Sequence, residues 1–381
     1  MNKKFHKEVF DQPTQLKLDI FRKYIREWLP VFLSKKYANG SAVFKQINLY
    51  DYFAGPGTDA KGTFGSPLII QEEVKAFCAA KSALKADVPV KMLFNDIEEE
   101  FIEELKQNVA SHRCQKNCCS FEFSAKPFQE LLSDHLPEMR QKGHANLILL
   151  DQFGVKEVSP EIIRSLLDCG TTDIMFFISS SYINRFVATV EFQNRFSIDP
   201  AQLKDIEYNA IHRFICEYFR SSLGGTDALV APFSIKKGRN IYGVIFASRD
   251  MLGMEKFLKV CWTLDAIAGS ANYNIDNEIC YKGDSLFAEF NKPTRVSVFE
   301  QDILNFIQTA RPDNTALYRF CLGNGFHSSK ANDILGELQD KGRIEVRDAG
   351  SGGLARKKSF YLKEPQRLVV YEAKQWQQDL L

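Results

Sequence analysis

Residues 47–58 read Ile-Asn-Leu-Tyr-Asp-Tyr-Phe-Ala-Gly-Pro-Gly-Thr. The alternating bulky residues up to Tyr52 predict a strand entering a core, and Gly55-Pro56-Gly57 then turns the backbone where side chains would collide with a ligand. Asp51 arrives at the strand's end. Ser66-Pro67 next predicts an N-cap followed by proline at the first helical position. Strand, glycine turn and helix in that order open an α/β sheet whose ligand edge lies at the strand's C-terminal end.

Glycine turns of this kind serve several ligands. A phosphate-binding P-loop needs a Lys-Ser/Thr pair and a dinucleotide fingerprint needs Gly-x-Gly-x-x-Gly; neither occurs here. An acid just before Phe53-Ala54-Gly55-Pro56-Gly57 points instead to S-adenosylmethionine. The glycines let backbone amides approach the methionine moiety, while the carboxylate can hold its ammonium or a bridging water. The plain alternative is an ordinary tight turn after a buried strand.

Whole-chain composition bounds the answer. A length of 381 residues suits two or three domains, and 45% hydrophobic with 25% charged residues describes an ordinary globular protein. A formal charge of +1 gives no global pull toward nucleic acid, so any such contact needs a local patch. No apolar run approaches the roughly 18 residues of a membrane helix, and the polar first ten residues do not read as a signal peptide, so a cytoplasmic protein with no membrane partner is expected. Nine cysteines scattered through apolar segments suit reduced, buried thiols. His112, Cys114, Cys118 and Cys119 form the one cluster with any metal character, but a second spaced pair is missing and no metal is expected.

Ahead of the central strand, Ile20, Tyr24, Ile25, Trp28, Leu29 and Phe32 recur at helical spacing and predict an amphipathic helix over 19–33, packed over the ligand end of the sheet. Lys17 and Tyr24 are candidates to face the ligand, although a tyrosine on an apolar stripe equally suits the core. After a crossover helix over 67–85, residues 90–94 predict a second strand ending in Asn95-Asp96. An acid there can accept both hydroxyls of an adenosine ribose, or cap the helix predicted over 97–110. A third strand over 120–124 leads to Phe128, an adenine neighbour or a core residue. Residues 146–150 form a continuous apolar strand that delivers Asp151-Gln152-Phe153-Gly154.

In enzymes that methylate exocyclic amines of bases, that position carries an Asp/Asn-Pro-Pro-aromatic turn that accepts hydrogen bonds from the target amine. Asp151 and Phe153 are present here, but Gln152 and Gly154 replace the prolines. Asp151 is the catalytic candidate; as an alternative it bonds its own backbone. A fifth strand over 173–178 places Ser179 to Ser181, Asn184 and Arg185 on the same edge, with Arg185 suited to an anionic group or to capping a helix. Residues 193–225 read as mostly helical, 232–248 as an edge hairpin and 254–264 as a further helix. Strands separated by helices argue for a doubly wound sheet with helices on both faces.

From about 294 the pattern changes. Helices are predicted over 298–309, 315–322 and 328–341, followed by strands over 343–347 and 356–362 around a glycine-rich turn, which is the winged-helix pattern. Arg343, Arg347, Arg356, Lys357 and Lys358 would make a basic wing. Asp333, Glu337 and Asp340 on the expected recognition helix would repel phosphates, leaving DNA binding and protein docking both open.

With these pieces assembled, the chain resembles the three-Cys-motif partner family of methyltransferases. The matching stretches are Lys-Leu-Asp-Ile-Phe-Arg-Lys-Tyr-Ile-Arg-Glu-Trp-Leu-Pro over 17–30, Asp-Tyr-Phe-Ala-Gly-Pro-Gly over 51–57, Gly-Ser-Pro-Leu over 65–68, Asn95-Asp96, Asp151-Gln152-Phe153-Gly154 and Asn184-Arg185. The resemblance implies a Rossmann-like methyltransferase domain over 1–290 with a winged-helix domain over 291–381. It also implies S-adenosylmethionine as cofactor and a partner protein bearing three cysteines that resembles a radical S-adenosylmethionine protein. The family's fourth-strand motif has proline after the aspartate, where this chain has Gln152. The expected function is methyl transfer to nucleic acid or a partner macromolecule. The alternative is a weak or inactive cofactor-binding protein that works through its winged helix. A nuclease on a similar sheet lacks a matching acid and lysine set.

Overall fold

Seven strands make one sheet in the order β3-β2-β1-β4-β5-β7-β6. The computed structural model describes residues 8–80, 88–112, 119–152, 157–204, 206, 210–238, 240–273 and 293–374. The chain divides into two compact units, Met1–Val260 and Cys261–Leu381. The boundary expected at 290/291 lies outside the described residues.

In chain order the first unit runs α1 (Gln12–Leu33), β1 (Gln46–Asp51), α2 (Ser66–Ala80), β2 (Val90–Asn95), α3 (Glu99–Ser111), β3 (Ser120–Ser124), α4 (Phe128–Met139) and β4 (His144–Leu150). It continues α5 (Pro160–Leu167), β5 (Thr171–Ser179), α6 (Ser180–Phe186), α7 (Val190–Gln193), α8 (Pro200–Lys204), α9 (Ile211–Ser222), β6 (Leu229–Lys237), β7 (Asn240–Ser248) and α10 (Met251–Leu264), whose last turn, from Cys261, belongs to the second unit. The first five strands pair in parallel, while the β6–β7 hairpin inserts β7 antiparallel to β5. This is the Rossmann-like, helix-flanked α/β sheet that the alternation of strands and helices predicts.

Strand period sorts the side chains onto two faces. Tyr50, Tyr52, Leu93, Ile148 and Leu150 join one core cluster with residues of α4, α5, α6 and α9. On the other face, Tyr24 of α1 packs at 5.0 Å from Phe246 of β7 and 6.3 Å from Phe257 of α10. Asp51, Asp96 and Asp151 alternate away from the first cluster and so lie on the α1 side. Helix α1 begins earlier than its apolar stripe suggests, because Asp11 accepts the Thr14 N–H at 3.0 Å and a proline sits in the first turn.

The second unit contains α11 (Arg295–Ala310), α12 (Asn314–Gly323), α13 (Ser328–Asp340), β8 (Ile344–Asp348) and β9 (Val369–Ala373), with β8 and β9 antiparallel. Its core stacks Phe299 on Phe326 at 3.8 Å and Phe306 on Phe320 at 4.2 Å. The returning strand is 369–373, not 356–362. Lys358 and Tyr361 take φ of 59° and 53°, which breaks an extended run there. Asn314 holds this segment by donating to the Tyr361 and Glu364 carbonyls and accepting the Val369 N–H at 3.1 Å.

Candidate functional site

Register brings three carboxylates to one edge of the sheet. Asp51 is paired in the ladder with Phe94 of β2 and with Leu149 of β4. Asp96 and Asp151 therefore lie two residues beyond it on the strands to either side. Asp51 is fully buried; its Oδ1 accepts the Phe53 N–H at 3.3 Å, while Oδ2 has no hydrogen-bond partner of good geometry, the Ser66 hydroxyl being near enough only to ease the charge on the carboxylate. Burial pushes this carboxyl up to about 7, with the Asp151 and Asp96 charges adding to the rise and Ser66 and the Phe53 N–H opposing it. An unpartnered oxygen on a buried acid is costly. A ligand ammonium would supply the missing donor.

The glycine turn is fastened at several points. Asp96 Oδ2 accepts the Gly55 N–H at 3.0 Å and its Oδ1 accepts the Glu98 N–H at 3.0 Å, so this acid braces both the turn and the entry to α3. A carboxylate oxygen accepts more than one donor, so a ribose hydroxyl can join these bonds. Asn108 of α3 donates to the Pro56 carbonyl at 2.8 Å, and the Ala54 N–H donates to the Asn95 carbonyl at 2.8 Å. Gly57 has φ of 86°, and a Cβ there would meet Leu105 Cδ1 at 2.6 Å. Glycine is demanded at this point by the approach of α3 as well as by the turn. Beyond it, Asp59 gathers the N–H groups of Phe10, Lys61 and Thr63 and so ties the 59–64 loop to the start of the described chain. These bonds hold its carboxyl below the usual range although burial works against them.

Helix α1 carries the cation of the site. Lys17 pairs with Asp151 Oδ2, and its ammonium lies 4.6 Å from the centre of the Phe177 ring. Lys17 is thus brought to the β4 tip, whereas Tyr24 is placed deeper. Its hydroxyl donates to Asp173 Oδ2 at 2.7 Å, beside the Trp28 indole N–H at 2.8 Å. Asp173 pairs in the ladder with Leu147, in the middle of β4, so Tyr24 lies about two turns of helix back from the carboxylate edge.

Phe53 and Phe128 meet with ring centres 5.4 Å apart, and Tyr52 packs on Phe128 at 5.1 Å. Phe128 is buried against the first cluster, and Phe53 covers it from the turn. Asn184 and Arg185 are exposed on α6, directly after β5. Phe153 lies outside the described residues, as do Cys114 and Cys118. Gln152 is buried, and its Oε1 accepts the Glu157 N–H at 2.7 Å, a bond for which a proline side chain has no acceptor.

Sequence reasoning passed over Asn95. Its amide donates to the Tyr52 and Lys126 carbonyls and its Oδ1 accepts the Lys126 N–H, which locks the tips of β1, β2 and β3 together. The signal that could have found it is the Asn-Asp pair at the strand end, in which the aspartate alone suggested a role.

No protein-family model and no curated protein matches the chain. Among solved structures it is similar to Trm1 from Pyrococcus horikoshii in complex with S-adenosyl-L-methionine, at 14% identity over 63% of this chain and 56% of that one, with a TM-score of 0.37. It is also similar to the O-methyltransferase TomG from Streptomyces achromogenes in complex with the same compound, at 10% identity over 65% and 98%, TM-score 0.33. A dimethyladenosine transferase from Plasmodium falciparum is similar at 11% identity over 88% and 98%, TM-score 0.30. The matched part spans little more than half the length of Trm1. No described helix is long and apolar enough to cross a membrane.

Proposed function

We propose that the first unit is an S-adenosylmethionine-dependent methyltransferase acting on nucleic acid or on a partner macromolecule. The observation that carries this reading is Asp51: a fully buried acid with an unpartnered oxygen beneath a glycine turn, with Asp96 and Asp151 on the adjoining strand tips. When bound, the cofactor supplies an intrinsically electrophilic methyl group, so the protein's tasks are binding, alignment and exclusion of water. Asp51 holds the ammonium, while Phe53, Ala54, Gly55, Pro56 and Gly57 wall the methionine end. Asp96 accepts the ribose hydroxyls, while Phe128, for which a core place is the alternative to an adenine contact, is buried in the first cluster beneath Phe53 and supports the turn from within the core. Asp151, steadied by Lys17, accepts a hydrogen bond from the methyl-accepting group through its second oxygen. Phe153, Asn184 and Arg185 serve the substrate side, and Tyr24 serves the site by anchoring α1 to Asp173. Calorimetry with S-adenosylmethionine, followed by radiolabelled methyl transfer to DNA, RNA and candidate proteins, tests the reading; absence of binding would end it.

A second reading is favoured by two details. Lys17 already occupies one oxygen of Asp151, and Gln152 stands where the amine-methylating motif has proline. In this reading the sheet retains the cofactor with little or no turnover, and a winged-helix domain over the C-terminal part docks DNA or a protein such as a three-cysteine radical S-adenosylmethionine-like partner. Cofactor binding without transfer to any acceptor, alongside partner capture, is its expected outcome.

A further inference from the structure

A ligand cannot reach Asp51 while the edge of the sheet is closed. The carboxylate is fully buried, so its Oδ2 meets a ligand only after some part of the edge has moved. The glycine turn is poorly suited to moving. Asp96, the Asn95 carbonyl and Asn108 each hold it, and Gly57 lies against Leu105 of α3.

The N-terminal stretch over 8–17 is held differently. Phe10 donates its N–H to Asp59 Oδ2 at 2.9 Å, in the loop that follows β1, while the next residue, Asp11, pairs at 2.6 Å with Lys237 at the end of β6. In the strand order β6 is the fourth neighbour of β1, about 19 Å away at roughly 4.8 Å per strand, so this stretch and the 59–64 loop together span the ligand edge. Lys17 adds a further tie, to Asp151 at the β4 tip. Within the stretch, Asp11 accepts the Thr14 N–H and the Gln15 amide donates to the Phe10 carbonyl at 2.9 Å, which makes it one piece. Partly exposed ion pairs are weak ties. From Ile20 onward α1 is fixed far more firmly: Ile20, Phe21, Tyr24, Ile25 and Trp28 are buried, and Tyr24 and Trp28 both donate to Asp173. A segment with few buried contacts beside a well-packed one opens locally at low cost.

We propose that residues 8–17 are a strap that lifts as a unit to admit the methyl donor to Asp51 and then closes over it, with the Asp11–Lys237 and Lys17–Asp151 pairs as its latches. The proposal rests on the cofactor reading and adds to it how that site is entered and left.

Two measurements on the full chain test it. In hydrogen exchange read by mass spectrometry, saturating S-adenosylmethionine is expected to slow exchange over 8–18 by on the order of tenfold while leaving 20–30 nearly unchanged, and this arm needs no variant. Lys237→Ala, whose folding is checked by circular dichroism, removes a latch that closes the free and the bound forms alike. Surface plasmon resonance should therefore show the association and dissociation rate constants rising together, several-fold each, with Kd nearly unchanged. Exchange over 8–18 indifferent to bound S-adenosylmethionine, or rate constants unmoved by Lys237→Ala, overturns the proposal and leaves the cofactor reading standing. Failure of S-adenosylmethionine to bind in calorimetry overturns both.

Discussion

Replacing Asp51 by asparagine is expected to make the protein more stable and a poorer cofactor binder. An aspartate ionises near 3.8 in the unfolded chain, whereas burial beside two other carboxylates moves Asp51 up to about 7 in the folded one. Folded protein therefore retains the proton to higher pH than unfolded protein. Below pH 3.8 both states are protonated and the group costs nothing; as pH rises toward 7 stability drains away, and above that the loss is complete. A rise from 3.8 to about 7 corresponds to about 4 kcal/mol at full ionisation. The asparagine side chain has the same shape without the charge, so Asp51→Asn should gain a few kcal/mol at pH 8 and almost nothing at pH 4. The Asp173 carboxyl, pushed up to about 6 mainly by burial, contributes with the same sign but is present in both proteins and cancels in the difference. Urea titrations of both proteins at pH 4, 6 and 8, fitted with separate transitions where the two units unfold apart, read this directly. A variant less stable than wild type at pH 8, or a gain that does not shrink toward pH 4, would refute the argument.

Other substitutions follow from single contacts. Asp96→Ala removes the acceptor for the Gly55 N–H and the proposed ribose acceptor, and should weaken S-adenosylmethionine binding by about 1 to 3 kcal/mol in calorimetry. Gly57→Ala should lower stability by about 1 to 3 kcal/mol, because φ of 86° and Leu105 at 2.6 Å both oppose a Cβ; in denaturation curves the same change made on a Leu105→Ala background, compared with Leu105→Ala alone, should cost less by the steric part. Tyr24→Phe takes one of the two α1 donors from the buried Asp173 and is expected to cost about 1.5 to 3 kcal/mol, with cofactor affinity changed little. On the DNA-docking reading of the C-terminal unit, Asp340, which pairs with both Lys357 and Lys358, masks two cations, and Asp340→Ala should strengthen non-specific DNA binding and steepen its salt dependence by about two released counterions. An unchanged slope would place those lysines away from any phosphate path.

The sheet was legible because its strands announce themselves locally: apolar runs with a glycine turn, an Asn-Asp or an Asp-Gln at their C-terminal ends. Parallel pairing then carries those ends to one edge without further information, which is why Asp51, Asp96 and Asp151 converge as expected. What sequence spacing does not encode is which groups meet across elements. Asn95 as a three-way clamp, Leu105 pressing on Gly57 and Lys17 reaching Asp151 over 134 residues are products of tertiary packing. The same limit explains the last strand. The 356–362 stretch follows a glycine-rich turn where a returning strand is expected, yet positive φ at Lys358 and Tyr361 and the bonds from Asn314 turn it into a loop, and the β-branched pair Val369-Val370 pairs with β8 instead. Tyr24 shows the reverse case, since its place on an apolar stripe allowed either a ligand or a core role, and the deciding partner, Asp173, lies 149 residues away on a strand whose own sequence gives no hint of it. Buried Asp173 binding two α1 donors fixes the helix that carries Lys17, so a residue in the middle of the sheet governs the charge presented at its edge.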